Sequence, residues 1–187
     1  PFYDVMFKVM REGGFSEDAV RLFERLYNGQ KGRVRGQPED SWFDISRGTK
    51  EGDPLSSRIF SLVVSHMMRR LRVDWKSKGH GYKLVGEVVV DPEYADDVLL
   101  VARTRQQLGN MLQDLVVMAS DYGLRVKWTK TKARDMHARM SSPISVQALG
   151  EVWEVQVVKQ FEYFGRLFAA GEEMKLLREG FKKLGDL

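Results

Sequence analysis

Apolar positions near the start of the chain recur with the period of an α-helix. The run from Val5 to Met10 predicts a short helix that closes at Gly13. Ser16 is placed to cap a second helix, whose first turn is acidic, as the helix dipole favours. This helix is expected to bury one apolar stripe. The stripe consists of Ala19, Leu22, Phe23, Leu26 and Tyr27.

The next stretch is polar and basic, and it predicts a loop or loose hairpin from Gln30 to Ser41, with a short strand over Trp42 to Ile45. Asp53 suits a helix cap and Pro54 the first helical position. The apolar spacing that follows predicts a helix to about Leu71. A polar, glycine-bearing linker is expected after it, from Trp75 to Gly81.

β-Branched residues dominate the middle of the chain and predict extended backbone. Tyr82 to Val90 is a strand candidate. Its last residues, Val88 to Val90, and the run Val98 to Val101 are expected to form a hairpin with a tight connection. The tip of that hairpin would carry two adjacent carboxylates, Asp96 and Asp97.

The C-terminal half contains both the helical repeat of apolar residues and the alternation that is typical of strands. Thr104 to Gln107 forms a capping-box pattern that predicts a helix ending near Gly123. Leu124 to Trp128 alternates as a strand would. Further short strands are predicted at Ile144 to Ala148 and at Val152 to Val158. An amphipathic helix is predicted over Glu172 to Leu184.

The composition narrows the class of protein. With 187 residues and 43% hydrophobic content, the chain suits one domain with a sizeable core. No apolar run is long enough to cross a bilayer and no signal-type leader is present, so we expect a soluble, intracellular protein without membrane partners.

The absence of cysteine excludes disulfides and thiolate metal sites, and the three histidines lack ligand spacing. Any metal ion would therefore be held by oxygen atoms. Oxygen ligands favour Mg²⁺ or Mn²⁺.

The charge is unevenly distributed. Thirty basic and 26 acidic residues give a net charge of +4. Two basic runs could neutralise phosphates, or could simply be solvated faces. The first comprises Arg69, Arg70, Arg72, Lys76, Lys78 and Lys83, and the second comprises Arg125, Lys127, Lys130, Lys132, Arg134 and Arg139, with Trp128 inside it.

Adjacent unpaired carboxylates repel each other unless a cation lies between them. Asp96 and Asp97 therefore indicate either a solvated turn or a metal site. If the backbone is extended here, Tyr94 and Asp96 share one face and Asp97 points away. Asp96 is then the better candidate for a direct metal ligand.

The string Tyr94-Ala95-Asp96-Asp97, set in a hairpin pattern, resembles the catalytic hairpin of reverse transcriptases. The stretch from Arg47 to Ser57 resembles the second large motif of the non-LTR retrotransposon type, which supports the templating base and the incoming nucleotide. The resemblance implies one set of substrate or template contacts. This set is Arg47, Lys50, Glu51, Gly52, Tyr94 and Ala95.

Two residues depart from this second motif. Glu51 stands where the family usually has glutamine, and Ser57 where it usually has proline. A carboxylate beside a nucleotide triphosphate is electrostatically unfavourable, so Glu51 is expected to weaken substrate binding.

Two later segments extend the resemblance. The pattern from Gly123 to Lys132 resembles the family segment whose lysine lies near the triphosphate and assists departure of pyrophosphate; Lys130 takes that role by alignment. The segment from Phe161 to Leu167 resembles a hairpin at the base of the palm that touches the primer. Tyr163, Phe164 and Gly165 would make that contact.

The resemblance implies an α+β fold, a polymerase palm in which helices back an antiparallel sheet. Residues 1–168 would form the palm with part of the fingers, and residues 169–187 the start of a thumb helix. The implied activity is RNA-directed DNA polymerisation. Its partners would be an RNA template, a DNA primer and deoxynucleotide triphosphates, with Mg²⁺ or Mn²⁺ held by Asp96 and Asp97.

The family's first motif, Asp-x-x-x-Ala-Phe-Asp, supplies a further metal-binding carboxylate and is not found in this sequence. Asp4 precedes a predicted helix, and Asp44 follows the wrong elements. We therefore expect the chain by itself to have little or no polymerase activity, with an N-terminal fingers segment missing. Two other interpretations stay open: a non-catalytic palm remnant that binds nucleic acid, and a structural remnant without a ligand.

Overall fold

The computed structural model describes residues 1–34, 42–49, 54–84, 87–89, 93–94, 97–136, 141–163 and 166–168. These residues form two compact units. The first contains the described residues of 1–71, 93–98 and 118–124, and the second those of 72–92, 99–117 and 125 onward. The predicted cap at Asp53 and the predicted helix from Glu172 to Leu184 lie outside the described residues.

The described elements mix helices with short strands. The helices are α1 (Tyr3–Glu12), α2 (Glu17–Tyr27), α3 (Pro54–Ser77) and α4 (Arg105–Asp121). The strands are β1 (Lys31–Arg33), β2 (Trp42–Asp44), β3 (Tyr82–Leu84), β4 (Glu87–Val89), β5 (Glu93–Tyr94), β6 (Asp97–Val98), β7 (Lys132–Ala133), β8 (Ile144–Ala148), β9 (Glu151–Val157), β10 (Phe161–Tyr163) and β11 (Arg166–Phe168). The α+β class is thereby confirmed.

Helices α1 and α2 pack as a pair in the first unit. The Ser16 hydroxyl oxygen accepts from the Ala19 N–H at 3.3 Å, which confirms the predicted cap. Arg11 bridges the pair, with its guanidinium 2.9 Å from a Glu17 oxygen and 2.8 Å from a Glu24 oxygen. The guanidinium thus links the end of α1 to two turns of α2.

The predicted buried stripe of α2 is partly wrong. Leu22 and Leu26 are 57% and 51% exposed, whereas Val20 is fully buried along with Tyr27. Two positions along a helix turn a side chain through about 200°. The face that meets α1 runs through Val20 and Tyr27, and Tyr27 packs edge-on against Tyr3 at 5.3 Å. This places Leu22 on the far side.

A polar network links three segments of the first unit. The Nε2 atom of His66 lies 2.6 Å from a Glu12 carboxylate oxygen, and its Nδ1 atom lies 2.7 Å from the Tyr122 hydroxyl. The Arg70 guanidinium donates to the same hydroxyl at 3.5 Å. These contacts satisfy both ring nitrogens of His66 and the hydroxyl of the buried Tyr122.

Helix α3 extends beyond its predicted end and includes Trp75 to Ser77 of the expected linker, of which only residues 78–81 lie outside the helix. It continues to Ser77 because Trp75 is fully buried in the second unit. The Trp75 indole N–H donates to a carboxylate oxygen of Asp114 on α4 at 3.0 Å. The free energy gained by burying the Trp75 ring is larger than the cost of placing the polar residues around it in a helix.

Asp114 also forms an ion pair with Lys78. The Lys78 ammonium lies 3.3 Å from an Asp114 carboxylate oxygen and 2.6 Å from an Asp74 carboxylate oxygen. The hydrogen bond to Asp74, reinforced by Asp114, raises the pKa of Lys78 above its ordinary value. The Asp114 carboxylate thus accepts from the indole of the buried Trp75 and also pairs with the exposed Lys78.

Thr104 caps α4 as predicted, but the reciprocal bond of the capping box goes to Arg103, the residue before the cap. The Gln107 N–H donates to the Thr104 hydroxyl at 3.1 Å, and the Gln107 side-chain oxygen accepts from the Arg103 N–H at 3.2 Å. The helix ends at Asp121, and Gly123 follows with a φ of +65°. The prediction of this helix is confirmed.

The strands of 82–98 pair differently from the prediction. Tyr82–Leu84 and Glu87–Val89 are two strands of one antiparallel ribbon, so the single strand expected over Tyr82 to Val90 is wrong. Val88 pairs with Lys83 and not with the run after Asp97.

The core of the second unit packs around a three-stranded sheet in the order β7-β9-β8. Strands β8 and β9 confirm two predicted strands and pair antiparallel, whereas β7 runs parallel to β9. The core cluster consists of Leu112, Ala133, Ile144, Val146 and Val155, with Leu100, Leu108, Trp128 and Val157 packed against it.

The strand predicted over Leu124 to Trp128 is wrong. The Leu124 N–H donates back to the Ala119 carbonyl at 2.8 Å, as part of the helix end. Residues after it close into a turn, and the strand begins only at Lys132. Local hydrogen bonds therefore occupy the backbone groups that a strand would need.

None of the helices in the described part of the chain combines the length and apolar character of a bilayer-spanning segment.

We predict that Asp114→Ala destabilises the protein by about 1–3 kcal/mol, because it leaves a buried indole N–H without an acceptor. Asp114→Asn keeps an acceptor and should cost less. Asp74→Asn is the matched control, since it removes only an exposed ion pair worth about 0–1 kcal/mol. Urea unfolding measures all three free energies. Equal losses for Asp114→Ala and Asp74→Asn would contradict the assignment.

Candidate functional site

A two-stranded ribbon carries the carboxylate motif. Glu93 pairs with Val98 and Tyr94 pairs with Asp97, in antiparallel register. Residues 95–96 connect these strands and lie outside the described residues. A hairpin is therefore present around the motif, but the predicted pairing of Val88 to Val90 with Val98 to Val101 is wrong, because the paired strands are Glu93–Tyr94 and Asp97–Val98.

The predicted placement of Tyr94 and Asp97 along one extended strand is wrong. Tyr94 and Asp97 lie opposite each other on two different strands, so their relation is that of cross-strand partners. Asp97 is exposed to solvent. The preference for Asp96 as the direct ligand stays a prediction.

Arg47 lies in the same unit as this ribbon. It forms an isolated antiparallel bridge with Phe2, and the following Gly48 N–H donates to the Pro1 carbonyl at 2.9 Å. Gly48 has a φ of +101°, which favours glycine at this turn. The Arg47 side chain is exposed. The other predicted contacts of this motif, Lys50, Glu51 and Gly52, lie outside the described residues.

Lys130 ends a compact turn in the second unit. Its backbone N–H donates to the Lys127 carbonyl at 2.9 Å, and the Thr131 N–H and hydroxyl both donate to that same carbonyl at 3.1 Å. The side chains of Lys127 and Lys130 are exposed. The turn thus presents two cations on a backbone held by three hydrogen bonds.

A stacked pair of tryptophans lies beside this turn. The Trp128 and Trp153 rings are 4.8 Å apart with an interplanar angle of 17°. Trp153 belongs to β9, in the same alternating phase as the buried Val155. Sequence reasoning missed Trp153, although its phase with Val155 indicated the inward face of the strand.

The hairpin expected near the C-terminal end is present. Strands β10 and β11 pair antiparallel, with Phe161 opposite Phe168 and Tyr163 opposite Arg166. Phe164 and Gly165 connect them and lie outside the described residues. The hairpin shape is confirmed, and the primer contact predicted for these residues stays a prediction.

The described residues alone do not assemble a metal site. Across the ranges that the structure describes, no group of three or more histidine, aspartate or glutamate side chains could hold an ion. Asp4 lies within α1 and Asp44 in β2. Neither belongs to the β5–β6 ribbon.

The comparisons with known proteins decide the family. Residues 6–166 match the family described as reverse transcriptase (RNA-dependent DNA polymerase). The chain belongs to this family. The resemblance seen in its motifs is therefore confirmed, and the chain is a reverse transcriptase-like domain of the non-LTR retrotransposon type.

The relatives of this reverse transcriptase-like domain come from three animals. A Retrovirus-related Pol polyprotein from the type-2 retrotransposable element R2DM of Drosophila melanogaster is 29% identical over 130 residues, 67% of this chain and 11% of that protein. A Retrovirus-related Pol polyprotein from the type-1 retrotransposable element R2 of Nasonia vitripennis is 28% identical over 102 residues, 54% of this chain and 10% of that protein.

A third relative is the transposon TX1 uncharacterized 149 kDa protein of Xenopus laevis, 27% identical over 136 residues, 68% of this chain and 9% of that protein. The chain thus spans about a tenth of the length of the curated relatives it matches.

We predict that Trp153→Ala destabilises the second unit by about 2 kcal/mol, because it removes both the stacking and the burial that Trp128 gains from it. Near-UV circular dichroism should lose the signal of the coupled indoles, and urea unfolding gives the free energy. Val152→Ala is the matched control, since Val152 is the neighbouring, exposed residue of the same strand. Equal effects of the two changes would show that the stack contributes nothing.

Proposed function

We propose that this domain is the palm of a template-directed polymerase that adds deoxynucleotides to a DNA primer on an RNA template. Residues 1–168 would form the palm with part of the fingers, and residues 169–187 the start of the thumb. The observation that carries the proposal is the β5–β6 ribbon. Its pairing of Tyr94 with Asp97 flanks a two-residue connection that contains Asp96, in a chain of the reverse transcriptase family.

The chemistry of the available ligands suits Mg²⁺ or Mn²⁺. The sequence contains no cysteine, and two adjacent carboxylates offer the oxygen ligands that hard divalent cations prefer. Asp96 and Asp97 would hold the ions. Ions held there would supply activation of the attacking hydroxyl and neutralisation of charge on the leaving group.

Other residues of the chain would bind and orient the substrates. Lys130, exposed at the end of its turn, would donate a proton to the departing pyrophosphate. Arg47, also exposed, would contact the template and the incoming nucleotide together with the segment of residues 50–52 and with Tyr94 and Ala95. The β10–β11 hairpin, through residues 163–165, would support the primer.

We predict that Mg²⁺ or Mn²⁺ raises the unfolding temperature, since an ion that binds only the folded state stabilises it. Asp96→Asn combined with Asp97→Asn should abolish this shift. Asp18→Asn is the matched control, because Asp18 is an exposed carboxylate in the first turn of α2. Differential scanning fluorimetry over a metal titration measures the effect. The same shift in all three proteins would contradict a metal site on the ribbon.

A primer-extension assay on an RNA template tests the activity. We expect little incorporation by the 187-residue chain alone, because the Asp-x-x-x-Ala-Phe-Asp carboxylate is not in its sequence. Joining a strand with that motif in front of Pro1 should raise incorporation, and Asp96→Asn should remove it. Robust Asp96-dependent extension by the chain alone would show that the additional carboxylate is unnecessary. No extension by the joined protein would contradict the polymerase proposal.

We also predict that Glu51→Gln tightens nucleotide binding severalfold in the joined protein. The change removes a carboxylate that repels the triphosphate. Two like charges a few ångströms apart in a partly solvated site repel each other by about 1 kcal/mol or more. Glu39→Gln provides a control for the loss of one negative charge elsewhere. The KM for deoxynucleotide is the measurement. An unchanged KM would show that Glu51 does not face the triphosphate.

A second candidate function is a palm remnant that binds nucleic acid without catalysis. The exposed cations around the Lys127 turn favour it, since Arg125, Lys127, Lys130 and Lys132 are all solvent-facing. Two results together would support this alternative. The affinity for an RNA–DNA hybrid would fall with salt and be unaffected by Asp96→Ala, and the joined protein would not extend a primer.

A further inference from the structure

Two aromatic side chains stand out from the surface of the β1–β2 ribbon. Trp42 is 56% exposed and Phe43 is 51% exposed, although both belong to a paired strand. Aromatic rings of this size are normally buried, because each can remove a large apolar area from water. Their exposure on a short ribbon needs a physical explanation.

The register places the two rings on opposite faces. Trp42 pairs with Arg33 and Phe43 pairs with Gly32, and neighbouring positions of a strand point to opposite sides. The Phe43 ring lies against Gly32 so closely that a Cβ atom there would be 2.5 Å from the ring. One side of the Phe43 ring is therefore covered by backbone.

The Trp42 face is basic. The Arg33 guanidinium carbon lies 6.0 Å from the Trp42 ring centre, at the outer limit of a cation–π contact. Lys31, two positions before Arg33, shares this face and is exposed. The one carboxylate among the cross-strand partners of this face is Asp44, which lies opposite Lys31 at the end of the ribbon.

We propose that this face of the β1–β2 ribbon, formed by Lys31, Arg33 and Trp42, binds single-stranded nucleic acid. A base would stack on Trp42, and the phosphates on either side of it would lie near Lys31 and Arg33. Only an unpaired base offers its π-face, so the surface selects single strands over duplexes. The contact does not depend on base identity, because every base has such a face.

The charges on the face favour nucleic acid over a protein segment. An apolar partner would require a broader apolar patch, whereas here a single indole lies opposite Arg33 and diagonally across the ribbon from Lys31, and both cations are exposed. A polyanion with flat rings matches both features at once. The inference deepens the proposed function by giving a path for an unpaired strand, but it rests on the ribbon alone and needs neither Asp96 nor a metal ion.

The test is fluorescence anisotropy with a labelled oligouridine of about 15 nucleotides, within the site sizes of single-strand binding folds. It is carried out with the full chain in EDTA, so that metal binding and polymerase activity have no part in the result. Trp42→Ala should weaken binding about tenfold, as loss of one base–aromatic stack does. Trp42→Phe should restore most of the affinity, because a phenyl ring still stacks.

Phe43→Ala is the matched control. It removes an aromatic ring of nearly equal exposure from the same strand, but from the opposite face. Binding should change by less than about twofold, the scatter expected for a residue outside the contact. Circular dichroism and thermal unfolding of each variant verify the fold. Equal losses for Trp42→Ala and Phe43→Ala would overturn the assignment of the face.

The cations give an independent measurement. Lys31→Gln and Arg33→Gln should each reduce the slope of log affinity against log salt by about 0.7, the value for one phosphate contact in a single strand. Asp44→Asn should strengthen binding, since it removes the carboxylate. A duplex of the same length should compete poorly. Equal competition by duplex, or an unchanged salt slope, would overturn the proposal while leaving the metal and primer-extension results unaffected.

Discussion

The pairing of Tyr94 with Asp97 is the constraint on which the functional interpretation depends. An antiparallel register fixes which residues face each other, and a shift by one position would move every side chain to the opposite face. With this register, Asp96 falls between the strands and Asp97 opens the second one. Asp96 and Asp97 are neighbours in the chain, and adjacent carboxylates repel each other unless a cation lies between them.

Lys130 and Arg33 both lie on backbone segments that hydrogen bonds hold in place. The turn that ends at Lys130 is closed by three hydrogen bonds to one carbonyl, and the Trp128–Trp153 stack lies beside it. The cost of holding a flexible lysine near an anion falls when its backbone is already ordered. The same principle applies to Arg33, which lies on a paired strand beside Trp42.

The local sequence was sufficient to predict features in which neighbouring residues satisfy each other's hydrogen-bonding groups. The Ser16 and Thr104 caps involve donors and acceptors within four residues, and both were predicted. The hairpin formed by β10 and β11 was expected from the family resemblance, whereas the local pattern around the two acids predicted a hairpin with the wrong strands. The family motifs indicated the type of domain before any fold was known, because they are read directly from residue order.

Tertiary structure decided which residues are buried and which strands pair, since these features depend on residues far apart in the chain. Leu22 and Val20 are equally apolar, and only packing against α1 determines which one is buried. Trp75 extends α3 because Asp114, 39 positions along the chain, accepts its indole N–H. Val88 turns back to Lys83 because a nearby strand closes a shorter loop than a distant one. The sequence determined the helix caps at Ser16 and Thr104 and the family, whereas burial and strand partnership, which depend on contacts between remote segments, were determined only by the folded structure.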